Sequence, residues 1–222
     1  MKLVVIGATG ATGRRVVTQA LERGDEVTAY VRSLYKMEDL VGTEGLRVIP
    51  GVAEDAERMA TAMEGADAVV VALGPAQTPA TFLRCDLMQH ALPAIRTAMV
   101  RAGVRRLVVL SAWGVGDTAR AASLPLRLGF ATVMRAVYTD HEAAEAPLRA
   151  ANDVDVTTVH PVMLTDEPAD GPVEVVPYEE LVPITRPEQV SRDAVATALL
   201  DAAHDPATIG QRLVVHPAPP TR

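Results

Sequence analysis

Apolar residues arrive along this chain in short unbroken runs, separated by stripes of helical period. Lys2 to Ile6 (KLVVI) is a β-branched run closed by Gly7. Beyond Gly13 the apolar positions fall at Val16, Val17, Ala20 and Leu21, the spacing of one helix face. Arg23 to Val31 then gives a turn at Gly24-Asp25 and a second strand, completing a βαβ unit of about 30 residues. The alternation continues with Leu46 to Pro50 as a strand, Asp55 to Met63 as a helix and Asp67 to Gly74 as a strand. Phe82 to Ala102 reads as a helix with Leu83, Leu87, Ala91, Ile95, Ala98 and Ala102 on one face. Pro93 inside it predicts a kink or a restart. Arg105 to Ala112 is a fifth strand, Leu126 to Ala151 a helical tract, and Asp155 to Pro161 a sixth strand.

The pattern then loosens around Pro168, Gly171, Pro172 and Pro177, with short strands near Val173 to Val176 and Val182 to Thr185. Val190, Ala194, Val195, Ala198, Leu199 and Ala202 mark a last helix, Gln211 to His216 a closing strand, and PAPPTR a loose tail. Strands that stay apolar without alternating imply burial on both faces, the habit of parallel sheets. The pattern therefore predicts an α/β fold, a doubly wound parallel sheet, as a single domain over 1–222 with a small irregular C-terminal substrate region. Segments near 114–135 and 164–185 are expected to shape the substrate pocket. No internal repeat or low-complexity linker interrupts the alternation.

Composition narrows the classes of function. With 222 residues and 49% hydrophobic content the chain can bury one sizeable core. A net charge of −7 without any Lys/Arg run speaks against a nucleic-acid partner or an anionic membrane surface. Cys85 is the only cysteine, so neither an internal disulfide nor a multi-cysteine metal site is available, and the scattered histidines suggest no metal site. The apolar run in MKLVVIGATG is too short for a signal segment. A cytoplasmic protein acting on a small molecule is the expectation, with oligomeric state open.

Chemistry concentrates in the stretch VVIGATGATGRR. Glycine lacks a Cβ, so it can take positive φ and let an anion approach backbone amides. At the first strand-to-helix junction, Gly7, Gly10 and Gly13 would expose free amides and the positive end of a helix dipole to a diphosphate. The spacing is G-x-x-G-x-x-G, not the more familiar G-x-G-x-x-G. Arg14 and Arg15 sit at the unfavourable end of that dipole, which a bound anion would compensate. The second strand ends Tyr30, Val31, Arg32, Ser33 without a carboxylate to take a ribose hydroxyl, and Arg32 with Ser33 suits a 2′-phosphate instead. NADP(H) is therefore expected over NAD(H).

The segments GATGATG, VTAYVRS, ADAVVVALGP, LVVLSA and DHEAAEAPLRAANDVDVTTVHPVML together resemble the atypical short-chain dehydrogenase/reductases, in particular the biliverdin-IXβ/flavin reductase and NmrA-like NAD(P)H-binding proteins. The likeness runs from Leu3 to His216. It implies a Rossmann sheet with NADP(H) across the strand ends and a substrate over the nicotinamide. By position, Gly7, Thr9, Gly10, Thr12 and Gly13 would form the diphosphate loop and Arg32 and Ser33 the 2′-phosphate site. Leu73, Gly74 and Pro75 would cover the adenosine and ribose, Ser111 would lie beside the nicotinamide, and His160-Pro161 would border its carboxamide. Two departures stand out. Gly51-Val52 replaces the family's Gly-Asp, so adenine recognition there must be apolar or differently made. The Tyr-x-x-x-Lys pair is not intact, since Tyr138 is followed four residues on by Glu142.

Candidates for chemistry are Ser111, which can hydrogen-bond a carbonyl, and Tyr138 and His141, three apart on one helix face and each able to move a proton. Glu142 and Glu145 read as solvated helix residues; Cys85 reads as a buried small hydrophobe; Leu126, Phe130 and Met134 read as core or an apolar lid. The leading expectation is an NADPH-dependent reductase of a planar or conjugated acceptor such as a flavin, quinone or enone. Alternatives are a non-catalytic NADP(H)-sensing regulator and a cofactor-retaining isomerase or epimerase.

Overall fold

The computed structural model describes residues 1–75, 78–168 and 171–218. In chain order the regular elements are β1 (Lys2–Ile6), α1 (Ala11–Glu22), β2 (Glu26–Val31), β3 (Leu46–Pro50), α2 (Ala56–Met63), β4 (Ala68–Val71), α3 (Pro79–Leu83) and α4 (Leu87–Ala102). There follow β5 (Arg106–Leu110), α5 (Leu124–Thr132), α6 (Arg135–Arg149), β6 (Asp155–Pro161), β7 (Met163–Thr165), β8 (Val173–Pro177), β9 (Gln189–Ser191), α7 (Arg192–His204) and β10 (Arg212–Pro217). Eight strands form one sheet in the order β3-β2-β1-β4-β5-β6-β10-β8; β8 alone runs antiparallel, and β7 and β9 make a small parallel pair apart.

The unbroken apolar strands are explained by two cores. In β1, Leu3 and Val5 face one core while Val4 and Ile6 face the other. Ala68 and Val70 against Val69 and Val71 repeat this in β4, as do Val108 and Leu110 against Leu107 and Val109 in β5. Helices α1 and α7 cover the first side, and α2, α4 and α6 the second. A parallel sheet wrapped on both faces needs apolar side chains on both, which the sequence supplies.

Three expectations are corrected. The helix read across Phe82 to Ala102 breaks at Arg84–Asp86, not at Pro93, which α4 accommodates. The cause lies on another helix: the buried carboxylate of Asp140 in α6 accepts the Met88 and Gln89 amides at 2.9 and 3.1 Å and so begins α4 there. Leu83 consequently falls off the buried stripe and is exposed. The Leu126 to Ala151 tract is two helices, α5 and α6, hinged at Val133-Met134. Val182 to Thr185 is no strand; Ile184 forms one bridge with Ala122.

That bridge joins the two irregular segments. Ile184 N donates to Ala121 O at 2.8 Å, Ser123 N to Ile184 O at 3.2 Å, and the Tyr178 hydroxyl to Asp117 O at 2.7 Å. A short helical segment, Leu34–Leu40, follows β2 where a plain loop would have served. Among the described residues no helix is long and apolar enough to cross a membrane.

Candidate functional site

Strand order reverses between β1 and β4, and the crevice outside the strand ends at such a point is where α/β sheets bind ligands. A cleft of about 400 Å³ lies there, lined by Gly7, Thr9 and Gly10 after β1, Val31 and Arg32 after β2, Gly51 and Val52 after β3, and Leu73, Gly74 and Pro75 after β4. These come from four successive strand ends, so the sheet itself sets their spacing.

The glycine loop is tight for a reason that can be located. Gly7 takes φ +86, and a Cβ there would lie 2.6 Å from Ala72 O, so loop and β4 end are in close approach. A Cβ on Gly13 would run into the Gly7 carbonyl. Helix α1 starts at Gly10 with no side-chain cap and no acidic residue in its first turn. Helix geometry leaves the amides of Ala11, Thr12 and Gly13 without intrahelical acceptors, and nothing in the side chains supplies one. Such a start, opening on a cleft through Gly10, fits the diphosphate of a dinucleotide. Thr12 and Gly13 are themselves buried and contribute backbone, not surface.

Arg14 and Arg15 are committed elsewhere. Arg14 is bonded to Asp39 and donates to Lys36 O at 2.8 Å, tying α1 to the Leu34–Leu40 segment. Arg15 pairs with Asp193 at 3.0 Å and Asp166 at 3.4 Å. By contrast Arg32 is exposed on the cleft and its side chain pairs with no carboxylate among the described residues. Ser33 is half-buried beside it, at the N-cap position of Leu34–Leu40, where its side chain closes no capping hydrogen bond. On the adenine side, Gly51 has no room for a Cβ because the Tyr30 ring fills the space, and Tyr30 donates to Val52 O at 3.2 Å. The lining there is Tyr30, Val52 and Ala53, with Glu54 at its edge.

Ser111, His141 and His160 do not line the cleft; they come together just behind the ends of β5 and β6, around a residue that the sequence reading set aside. Glu145, taken as solvated, is fully buried in α6. His141 Nδ1 donates to its Oε1 at 3.0 Å and Arg149 lies 3.4 Å from its Oε2. Burial pushes the Glu145 carboxyl up, but the His141 hydrogen bond and the nearby His160 outweigh it and hold it below the usual range. Ser111 Oγ is buried and closes no hydrogen bond of normal geometry, while its hydroxyl faces Glu145 closely enough to favour the anion. His160 Nδ1 lies 3.1 Å from Ala112 O and Nε2 2.8 Å from Thr158 Oγ1. A carbonyl only accepts, so Nδ1 carries the proton and the threonine hydroxyl donates to Nε2. Burial lowers the His160 pKa despite Glu145, keeping the ring neutral. Pro161 adjoins it, and its carbonyl accepts the Trp113 amide at 2.9 Å.

The spacing His141, Glu145, Arg149 is i, i+4, i+8 on a helix whose buried positions include Val137, Ala144 and Leu148. That stripe placed Glu145 beside the core, and the signal was in the sequence. Tyr138, although on the same helix, turns to an aromatic cluster with Phe130 and Trp113, at ring-centre distances of 5.5 and 5.1 Å along the chain of contacts. Burial pushes its phenol up to about 12, which makes it a weak acid. Cys85 is half-buried, its Sγ 3.3 Å from Asp140 Oδ2, and burial raises its thiol pKa, so it is no activated nucleophile.

Comparisons with known proteins agree with this geometry. Relatives include the oxidoreductase stcQ of Emericella nidulans, 30% identical over 182 residues, covering 75% of this chain and 66% of that protein. The photosystem II assembly factor Ycf39 of Synechocystis is 33% identical over 111 residues, 50% of this chain but only 33% of that protein. The chain thus spans about a third of one and just under two thirds of the other. Among solved structures, a short-chain dehydrogenase/reductase of Veillonella parvula in complex with NADP superposes with a TM-score of 0.80 at 21% identity, covering 99% of this chain and 95% of that one. The fold is the Rossmann-like α/β fold that the sequence resemblance implied. A family model described as NAD(P)H-binding matches residues 7–206, and the chain belongs to that NAD(P)H-binding family.

Proposed function

We propose that the protein is an NADPH-dependent reductase of a planar or conjugated acceptor, such as a flavin, quinone or enone. The observation that carries the reading is the uncapped, acid-free start of α1 opening on a cleft whose β2 side presents the unpaired Arg32. In this reading the amides around Gly7, Thr9, Gly10, Thr12 and Gly13 hold the diphosphate. Arg32 and Ser33 take the 2′-phosphate, and Leu73, Gly74 and Pro75 cover the adenosine ribose. When bound, the cofactor supplies the hydride. Ser111, with Glu145 behind it, and the neutral His160 with Pro161 stand behind the strand ends and back the nicotinamide end of the site, shaping it without reaching into the cleft. A conjugated acceptor spreads the negative charge it gains and needs little help with protonation, which suits a site whose Tyr138 is a weak acid and whose His141 is bound to a carboxylate.

The test is anaerobic oxidation of NADPH against a panel of flavins, quinones and enones. Turnover with at least one class is expected; NADPH binding without oxidation by any of them overturns the proposal. The weak acidity of Tyr138 also suits a cofactor-sensing protein without chemistry, for which no acceptor would be reduced and a protein partner would be released on NADP(H) binding.

A further inference from the structure

The loop leaving β5 and the helices α5 and α6 surround a second cavity of about 690 Å³. Its apolar surface comes from Leu124, Leu128, Phe130 and Tyr138. Gly114, at φ +105, opens it, since a Cβ there would lie 2.6 Å from the Tyr138 ring. Helix α5 buries none of its residues, and Leu124 and Leu128 are 77% and 64% exposed, an arrangement that costs free energy unless something covers it.

The charge around that surface points to what does. Arg127 and Arg135 line the cavity, and among the described residues the side chain of neither meets a carboxylate. In a chain of net charge −7, where Arg14, Arg15, Arg23, Arg96, Arg105, Arg149, Arg192 and Arg212 each do, two idle guanidiniums at one opening mark an uncompensated positive rim. The carboxylate that faces inward, Glu142, is already held by Arg149 at 2.9 and 3.0 Å. An apolar floor under a positive rim fits neither a cation nor a sugar. We propose that this cavity binds a small amphipathic acid: a flat apolar body against Leu128, Phe130 and Tyr138, with a carboxylate between Arg127 and Arg135. Gly114 lies three residues beyond Ser111 at the end of β5, at most about 10 Å of chain, so the cavity opens on the same strand-end side of the sheet as the cleft without sharing its lining. The inference deepens the proposed reductase by giving its acceptor an acid group, and it rests on that reading for turnover but not for binding.

Fluorescence titration of the NADP-loaded protein with 1-pyrenebutyrate and with its uncharged twin 1-pyrenebutanol tests it. The acid should bind about tenfold more tightly, as two partly desolvated charge-assisted contacts would provide. The double variant Arg127→Gln, Arg135→Gln should erase that preference while leaving the affinity for the alcohol and for NADPH unchanged. Leu128→Asp, at an exposed position, should weaken both probes. Equal affinities for the two probes in the native protein, or an acid preference that survives the double variant, overturns the proposal. Acid-selective binding with no reduction of any acid-bearing flavin, quinone or enone upholds this site and removes the reductase reading instead.

Discussion

A methyl group has no place at Gly13, because the Gly7 carbonyl occupies it, and at Gly7 it would meet the carbonyl of Ala72 besides requiring an L-residue at φ +86. Gly7→Ala should therefore lose dinucleotide affinity and also cost about 1–3 kcal/mol of stability, read by calorimetric titration and by the denaturant midpoint. Arg32 permits a cleaner separation. It is exposed and pairs with no carboxylate among the described residues, so Arg32→Ala should leave stability and NADH affinity alone and weaken NADPH about tenfold; equal weakening of both cofactors would refute its assignment to the 2′-phosphate. The glycines and Arg32 were legible because backbone sterics and charge choice act locally, within a few residues. Glu145 was not, although Val137, His141, Ala144 and Leu148 on the same helix face point inward. A glutamate in a helix is solvated by default, and only the arrival of Ser111 and His160 from two strands gives it reason to be buried. Glu145→Gln should leave His141 Nδ1 facing a neutral amide and cost about 1–3 kcal/mol of stability, read from the denaturant midpoint.

At the scale of elements, eight strands and the helices α1, α2 and α7 follow from apolar period, and the boundaries that went astray were set by partners from elsewhere in the chain. Pro93 was expected to interrupt a helix and does not. The interruption sits nine residues earlier in sequence, at Arg84, where Asp140 supplies the acceptor that starts α4. Proline removes one amide from a helix already anchored on its buried face by Leu92, Ile95 and Met99, and tertiary packing outweighs that local loss. Asp140→Ala would strand the buried Met88 amide and the part-buried Gln89 amide and should cost about 1–3 kcal/mol, seen as a lowered urea midpoint at unchanged slope. The strand expected at Val182 to Thr185 failed for the converse reason: Ile184 finds one neighbour, Ala122, and no ladder.

For the molecule as a whole, acid should loosen the fold in two steps. His160 is neutral and fully bonded in the folded state, with its pKa lowered by burial, so below about pH 6.5 the unfolded chain takes a proton that the folded one refuses. Stability then falls as pH drops, by at most about 1.4 kcal/mol per pH unit for this one group. Glu145 adds a second loss at lower pH. Its folded pKa lies below the usual value, so its contribution is present above the unfolded pKa and disappears as pH falls through the folded one. Melting temperature should be flat near pH 7 to 8 and decline below about 6.5; His160→Gln, which cannot titrate, should remove the first step while retaining the second. The doubly wound parallel sheet was implied by the βαβ alternation; its strand order was not. The second cavity is lined largely from the segment near 114–135, which a strap around Ile184 ties to the other irregular segment just ahead of α5.

That strap has a consequence for how such a protein could acquire new tastes. Because residues 121–123 and Ile184 are laced together through their main chains, and Tyr178 is moored to Asp117, the two segments behave as one piece of joinery. Lengthening either strip by a residue would drag the other out of line, so a change of diet must come by exchanging side chains on a constant frame, or by recutting both strips together.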